Sequence, residues 1–593
     1  VEKYALDTDV IGEQGYVLCA YKEKGHNRVV IVGNTRPALL YGMVTLVKLL
    51  EADKGQAYLR EVTILDYPIL RDRALLVDMG GQGYMVGPSR WDYKQWKDFI
   101  DWMVDHKLNA IHLEFIGSGR LMGNLDMDKN EWCGFPIDLE SYPRFVCKNR
   151  PIKRWDQQKQ KIVDDRYTAP NVKDEFVDDL IDYCNARGVK PYIFVGYDYF
   201  AKQLPILLGL PHNDPTDPQA NKFYDTVLEE ITRRYKNARG VVLCTIETAH
   251  APKELIKTIA RRVNDAYGII RKINPEMEVY LLADYLRGQE NVLEQLEYLK
   301  NNTPEDFQLY WSPHRQPYQK SWKRVFPNMI KYTNYTQYAW EKIVYVFPER
   351  IHEEIYRLYA DGYRGLVSQA WYFSTFSMNF LAMAEYTWNL TSCPTSEFWD
   401  KVVTQTFGAE AGPFMKTALK HTSFEARFDV LIRQIVDDKI DRIMTFWDMY
   451  VYHDSLVNQQ TLEQLKTDAK QSLMAAQAAM PLVKESSKSM AELAVISAKR
   501  RYYFAKSAMH LLNARELYKI RRKDEALEQM RKAIEQAEKQ LQAARGLGIE
   551  YPMSVRDDDY MKKLKEYHQA IKEGRMRVDS PAGEIQPQLT PDD

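Results

Sequence analysis

The sequence predicts an α/β protein built on a (β/α)8 TIM barrel, preceded by a small α+β domain and followed by an α-helical domain. From Arg71 onward, short apolar runs alternate with amphipathic segments for about 320 residues, the pattern of a parallel sheet wound with helices. Eight such runs occur, and no G-x-G-x-x-G phosphate loop follows the first, so a closed barrel fits better than an open dinucleotide-binding sheet. Beyond residue 395 the chain turns to long Ala/Leu/Met-rich stretches with i, i+3, i+4 spacing. At 593 residues it exceeds one ordinary core, and the expected division is 1–70, 71–395, 396–578 and a tail at 579–593.

The first unit is compact. QGYVLCAY and RVVIVG read as two strands joined at Gly25-His26-Asn27, and Thr35 caps the amphipathic helix RPALLYGMVTLVKLLEA. LREVTIL closes the unit as a third strand before Asp66-Tyr67-Pro68. The barrel strands are expected at 73–79, 109–116, 190–196, 239–246, 278–283, 307–312, 331–338 and 364–371. The seventh, KYTNYTQY, carries the weakest apolar signal. Residues 117–172 form one long connection with Trp132, Trp155 and clustered charge, expected to wall the cleft. TLEQLKTDAKQSLMAAQAAMPLV, SMAELAVISAKRRYYFAKSAMHLLNARELYKI and KDEALEQMRKAIEQAEKQLQAARGLG read as bundle helices, the last stopped by Gly546 and Gly548. The Pro-rich end SPAGEIQPQLTPDD is expected to be disordered.

Composition narrows the partners. Lys+Arg 81 against Asp+Glu 82 leaves a net charge of −1, which gives no global steering to nucleic acid or to an anionic membrane. No run of 18 apolar residues exists, so no membrane-spanning segment is expected. The 39 Tyr, 21 Phe and 12 Trp suit stacking on sugar rings, although a large core absorbs most of them. Six cysteines show no C-x-x-C pair and no metal spacing; Cys19, Cys184 and Cys244 read as buried thiols, and Cys133 and Cys147 flank one loop where they could pair. His-x-x-Glu and His-x-His ligand spacings are absent, so neither a metal nor another cofactor is expected. The chain opens with VEKYALDTDV and no initiator Met, which predicts an export signal outside this sequence and an extracytoplasmic setting. Oligomeric state is not legible.

Catalytic groups of such barrels sit at the C-terminal ends of the strands. Those ends carry Asp78, Glu114, Tyr197, Asp198, Glu247, Asp284, Trp311, His314, Tyr338, Gln369 and Trp371. Carboxylates among aromatics and amides make a sugar-binding ring, and glycosidic cleavage needs one protonated carboxyl beside a second group. Glu247 follows the apolar run Val241–Cys244 and Ile246, which would desolvate it and raise its pKa as a general acid requires. Asp284 and Asp198 are the expected base or positioning groups. The alternative for each such acid is a salt bridge or a helix cap; Arg287 could simply pair with Asp284.

GYVLCAY, RVVIVGNTRPALLYGMVTLVKLL and VTILDYPILRDRALLVDM together resemble the domain junction of family 20 β-N-acetylhexosaminidases. There a G-x-T-x-x-A-x-x-Y-G-like helix start leads through D-Y-P into R-G-x-x-x-D. WKDFIDWMVDHKLNAIHLEF is similar to the Trp-led helix and K-x-N-x-x-H-x-H stretch that comes next. The resemblance covers about residues 14 to 116 and implies that Arg73 and Asp78 contact substrate hydroxyls. It also implies a carbohydrate substrate and Glu247 as the acid. Where the family carries Asp-Glu after strand four this chain has Ile246-Glu247, so the match extends to the acid and not to the acetamido-orienting Asp. The layout is also similar to family 67 α-glucuronidases and family 84 or 89 N-acetylglucosaminidases, and SMNFLAMAEYTWNL resembles the N-x-x-x-x-A-E-Y-x-W-N segment found after several of those barrels.

The expectation is therefore a hexosaminidase-like glycoside hydrolase acting on a glycan or oligosaccharide. The alternative is a non-catalytic glycan-binding protein on a degenerate barrel, for which Ile246 is the best argument. A barrel lyase or isomerase would need a metal or a Lys/Tyr base, and no spacing suggests one.

Overall fold

The computed structural model describes residues 11–53, 56–78, 91, 93–114, 152–156, 161–165, 174–196, 217–244, 255–283, 291–311, 320–327, 329–335, 344–370, 373–391, 393–422, 428–440, 442–448, 451–545 and 555–576. Strands β1 (Tyr16–Glu23) and β2 (His26–Gly33) form an antiparallel hairpin in full register from Tyr16↔Gly33 to Glu23↔His26. Its turn is made by Lys24 and Gly25, both at positive φ. Thr35 caps the helix Arg36–Leu49, its hydroxyl accepting from Ala38 N at 3.3 Å. A short hairpin not expected from the sequence, β3 (Glu51–Asp53) and β4 (Gln56–Tyr58), precedes β5 (Val62–Asp66), which completes a sheet of order β2-β1-β5.

The barrel is closed and parallel. Its strands are β6 (Asp72–Asp78) and β7 (Ala110–Glu114), then, after a hairpin of β8 (Ile152–Asp156) with β9 (Lys161–Asp165), β10 (Lys190–Gly196), β11 (Gly240–Cys244), β12 (Glu278–Leu282), β13 (Gln308–Trp311), β14 (Ile330–Thr333) and β15 (Gly365–Gln369). All eight expected strands are present. Every one starts within a residue of its expected position, and β14 ends five residues early. The β8–β9 hairpin lies within the long connection expected to wall the cleft, and the rest of that connection, with Cys133 and Cys147, is outside the described residues.

Strand alternation sorts the barrel side chains. Leu75, Val77, Ile111, Leu113, Ile193 and Leu243 face the surrounding helices, while Leu76, Phe194, Val242, Tyr280, Leu282, Tyr310 and Tyr332 fill the interior. The outward positions of β14 are polar for a reason: Lys331 is buried beside Glu354 of the helix Pro348–Asp361, and the Thr333 hydroxyl reaches Glu354 at 3.4 Å. Burial pushes Lys331 down to about 8, and burial likewise raises Glu354. A polar segment can thus be a central strand when its charge is matched across the helix layer.

At the foot of the barrel, the N-terminal ends of the strands are plugged by charge. Arg364 meets Asp72 at 2.5 Å, Lys190 stands 3.7 Å from Asp72, and Arg239 meets Glu278 at 2.5 Å. Tyr192 and Tyr280 donate to the same Glu278 oxygen at 2.8 and 2.6 Å. Burial alone would raise the Glu278 pKa, but the Tyr280 and Tyr192 hydrogen bonds and the Arg239 charge outweigh it and hold it at about 2.

The C-terminal region is helical as expected, with helices at Gln459–Ala479, Lys488–Lys519, Lys523–Arg545 and Val555–Glu573. Arg500 and Asp557 form a fully buried pair at 2.6 Å, and Gln540 also donates to Asp557. This region docks beside the exit of β14: Val344 N donates to Ser497 Oγ at 3.1 Å, Val346 N to Thr422 Oγ1 at 3.3 Å and Phe428 N to Tyr345 Oη at 3.0 Å. Cys19, Cys184 and Cys244 are buried. Among the described residues no helix is long and apolar enough to cross a membrane.

Candidate active site

The mouth of the barrel is formed by the C-terminal ends of its strands. Asp78 ends β6 and Glu114 ends β7, and the two are direct register partners. They share the register of Leu76 and His112, both interior positions. On the other side of β6, Gln369 ends β15 and pairs with Leu76. Three adjacent strands therefore end at Gln369, Asp78 and Glu114 along one arc of the rim.

Gln369 is 4% exposed, and its carboxamide Oε1 is buried with no hydrogen-bond partner among the described residues. Leaving such an acceptor unmade costs about 1–3 kcal/mol, so it is the sort of group a structure retains for a ligand. Its backbone is fixed from both sides. Ala370 N donates to Leu76 O at 2.7 Å, and Ser368 Oγ accepts from Tyr335 N at 3.1 Å while donating to Gln369 O at 3.2 Å. Asn379 steadies the same quarter: it accepts from Phe347 N at 3.1 Å and donates to Tyr335 O and Tyr345 O at 3.2 and 3.0 Å.

Beneath the rim lies a residue pair that the sequence does not single out. His112 Nε2 and Tyr310 Oη share a hydrogen bond of 2.9 Å inside the barrel, with the Tyr192 ring 5.0 Å from the imidazole. Burial pushes His112 down to about 3, so the ring is neutral. The sequence signals for His112 are its match to the first His of the K-x-N-x-x-H-x-H stretch and its place two residues before Glu114, on the same face of an alternating strand.

Arg73, expected to contact substrate hydroxyls, does not reach the mouth. It is the second residue of β6, at the foot, and is 0% exposed. Its guanidinium donates to Leu70 O at 2.9 Å, to Arg71 O at 3.2 Å and twice to Lys107 O at 2.9 and 2.7 Å. Asn109 binds Arg73 N and Arg71 O, and Lys107 Nζ donates to Tyr16 Oη and Asp66 at 2.8 and 2.9 Å. All of this closes around Trp388, against which Tyr41 packs edge-on at 5.1 Å. Much of the motif set that carries the resemblance (Tyr41, Asp66, Arg73, Lys107, Asn109, Trp388) thus builds the joint between the small domain and the barrel foot. Arg73 is a structural residue.

No family model matches the chain, and no curated protein matches it in sequence. Solved structures do match. A GH138 enzyme targeting pectin rhamnogalacturonan II aligns with a TM-score of 0.60 at 13% identity, over 96% of this chain and 75% of its own. CpGH84B aligns with a TM-score of 0.52 at 15% identity, over 95% of this chain and 88% of its own. A GH20 exo-β-N-acetylglucosaminidase from Vibrio harveyi in complex with N-acetylglucosamine aligns over 66% of each chain at 14% identity and a TM-score of 0.45. The chain shares its fold with the first two of these enzymes over nearly its whole length.

Within that fold the expected site residues fall into three groups. Gln369 is at the rim with its side chain described. Asp78, Glu114 and Trp311 are the last residues of β6, β7 and β13; Trp311 pairs with Lys331, on the register that alternates with interior Tyr310. Glu247, Asp284, Asp198, Tyr197, His314, Tyr338 and Trp371 lie outside the described residues. In the sequence Glu247 comes three residues after Cys244, Asp284 two after Leu282 and Asp198 two after Gly196, each the last residue of a barrel strand.

Proposed function

We propose that this chain is a glycoside hydrolase that cleaves a glycan or oligosaccharide at the C-terminal mouth of its barrel. The observation that carries the reading is the closed parallel barrel, with the glycoside hydrolase fold over nearly the whole chain, whose rim pairs Asp78 with Glu114. In this reading Glu247 is the general acid that protonates the glycosidic oxygen, and Asp284 or Asp198 supplies the base or positions the substrate. Asp78, Glu114, Tyr197, Trp311, His314, Tyr338, Gln369 and Trp371 are the proposed substrate contacts. Hexosaminidase-like specificity is supported by the Glu247 match, while Ile246 argues against an acetamido-orienting carboxylate at that position. An extracytoplasmic setting suits such a substrate.

The experiment is a screen of aryl glycosides and complex glycans with the wild type and Glu247→Gln. Hydrolysis by the wild type and its loss by at least ~100-fold in the variant is the expected result. Full turnover by the variant would remove Glu247 from the acid role. Tight glycan binding without turnover by the wild type would favour the non-catalytic glycan-binding alternative.

A further inference from the structure

We infer that the Gln369 carboxamide recognises one unsubstituted hydroxyl of the sugar seated in the barrel mouth, and so sets specificity at that ring position. The inference rests on the glycan reading above and deepens it. Gln369 is nine-tenths buried, ends β15 at the rim, and has an Oε1 that no group among the described residues satisfies. Its strand neighbour at the same level is apolar Leu76, and the nearest rim position beyond that is Asp78. A carboxamide placed there for packing alone would be better replaced by a leucine of similar volume, which has no acceptor to desolvate.

The missing partner must be a donor. A sugar hydroxyl is the donor that a glycan brings in abundance, and it can also accept from Nε2 through the same oxygen. A carboxylate or phosphate brings no hydrogen to Oε1 and would be repelled by it. An O-methyl or O-acetyl group at that position lacks the hydrogen and needs space that a buried carboxamide does not leave. The bonds of Ser368 Oγ and Ala370 N fix the Gln369 backbone before substrate arrives, so only the side chain has to be ordered on binding.

The test is calorimetric titration of the full chain with methyl glycosides of glucose, galactose, mannose and N-acetylglucosamine, then with the monodeoxy forms of whichever binds. Wild type is expected to bind one monodeoxy analogue roughly 10- to 100-fold more weakly than its parent. Gln369→Leu should bind the parent as weakly as wild type binds that analogue, and should not distinguish the two. Its melting temperature should equal or exceed that of wild type, since the unmade acceptor is gone, and Gln369→Met should behave likewise. Retained discrimination in Gln369→Leu, or a lower melting temperature in both variants, would overturn this inference alone. Failure of every glycoside to bind wild type would overturn the glycan reading and this inference with it.

Discussion

The Lys107 ammonium stands 4.1 Å from the centre of the Trp388 ring. The Arg73 guanidinium lies 5.0 Å from the same ring, and Tyr16 and Tyr41 pack around it. A desolvated cation–π contact of this kind contributes about 2 kcal/mol, and the buried indole adds its own transfer energy. Trp388→Ala is therefore expected to lower stability by about 3–5 kcal/mol, measured by urea unfolding, with glycan affinity unchanged in the folded fraction.

Arg73→Met tests the same joint from the barrel side. The substitution leaves the carbonyls of Leu70 and Lys107 without their buried donors, for an expected loss of about 3 kcal/mol or more. Thermal melting should fall while KM for any cleaved glycoside stays constant. A raised KM with normal melting would restore Arg73 as a substrate contact.

At the rim the balance should be reversed. Asp78→Asn and Glu114→Gln stand at adjacent strand ends, and melting is expected to change little. As substrate contacts, each is expected to lower kcat/KM on the best substrate from the aryl glycoside screen by about 10- to 100-fold when changed.

His112 sets an acid limit. In the unfolded chain a histidine takes up its proton near 6.5, whereas burial delays that uptake in the fold to about 3. Between those values unfolding binds a proton, so stability is fully present above 6.5 and declines as pH falls toward 3. The slope from this one group is up to about 1.4 kcal/mol per pH unit. Glu278, held at about 2 from its usual 4.5, adds a further loss below 4.5. Urea unfolding from pH 7 to 4 should show a shallower decline for His112→Gln than for wild type.

The barrel is legible because most of its strands are short apolar runs whose starts are marked by a charged or polar residue. Asp72, Lys190, Glu278 and Gln308 open their strands, and Arg239 and Arg364 immediately precede theirs. Those same residues form the plug at the foot, which the sequence hides because a charge at a strand start looks the same whether it is solvated or buried. Arg73 misleads for a related reason. The strand expected at 73–79 already sets it at the N-terminal end and only the resemblance implies a substrate contact, while its partners, the carbonyls of Leu70, Arg71 and Lys107, have no side-chain signature. Gln369 is legible as a strand-end amide, but its unmade hydrogen bond can be known only from its surroundings.

The boundary drawn at residue 70 divides the sequence without dividing the folding unit. Ile69 and Leu70 donate their backbone N–H groups to the carbonyls of Trp388 and Thr387, and Gln14 bonds both Arg71 and Asn109 across the same line. A fragment beginning at residue 71 would expose the indole, strip Lys107 of Asp66 and Tyr16, and take the Leu70 carbonyl from Arg73. Anyone transplanting this barrel, or trimming it for crystallisation, must carry the small domain along as part of its hull.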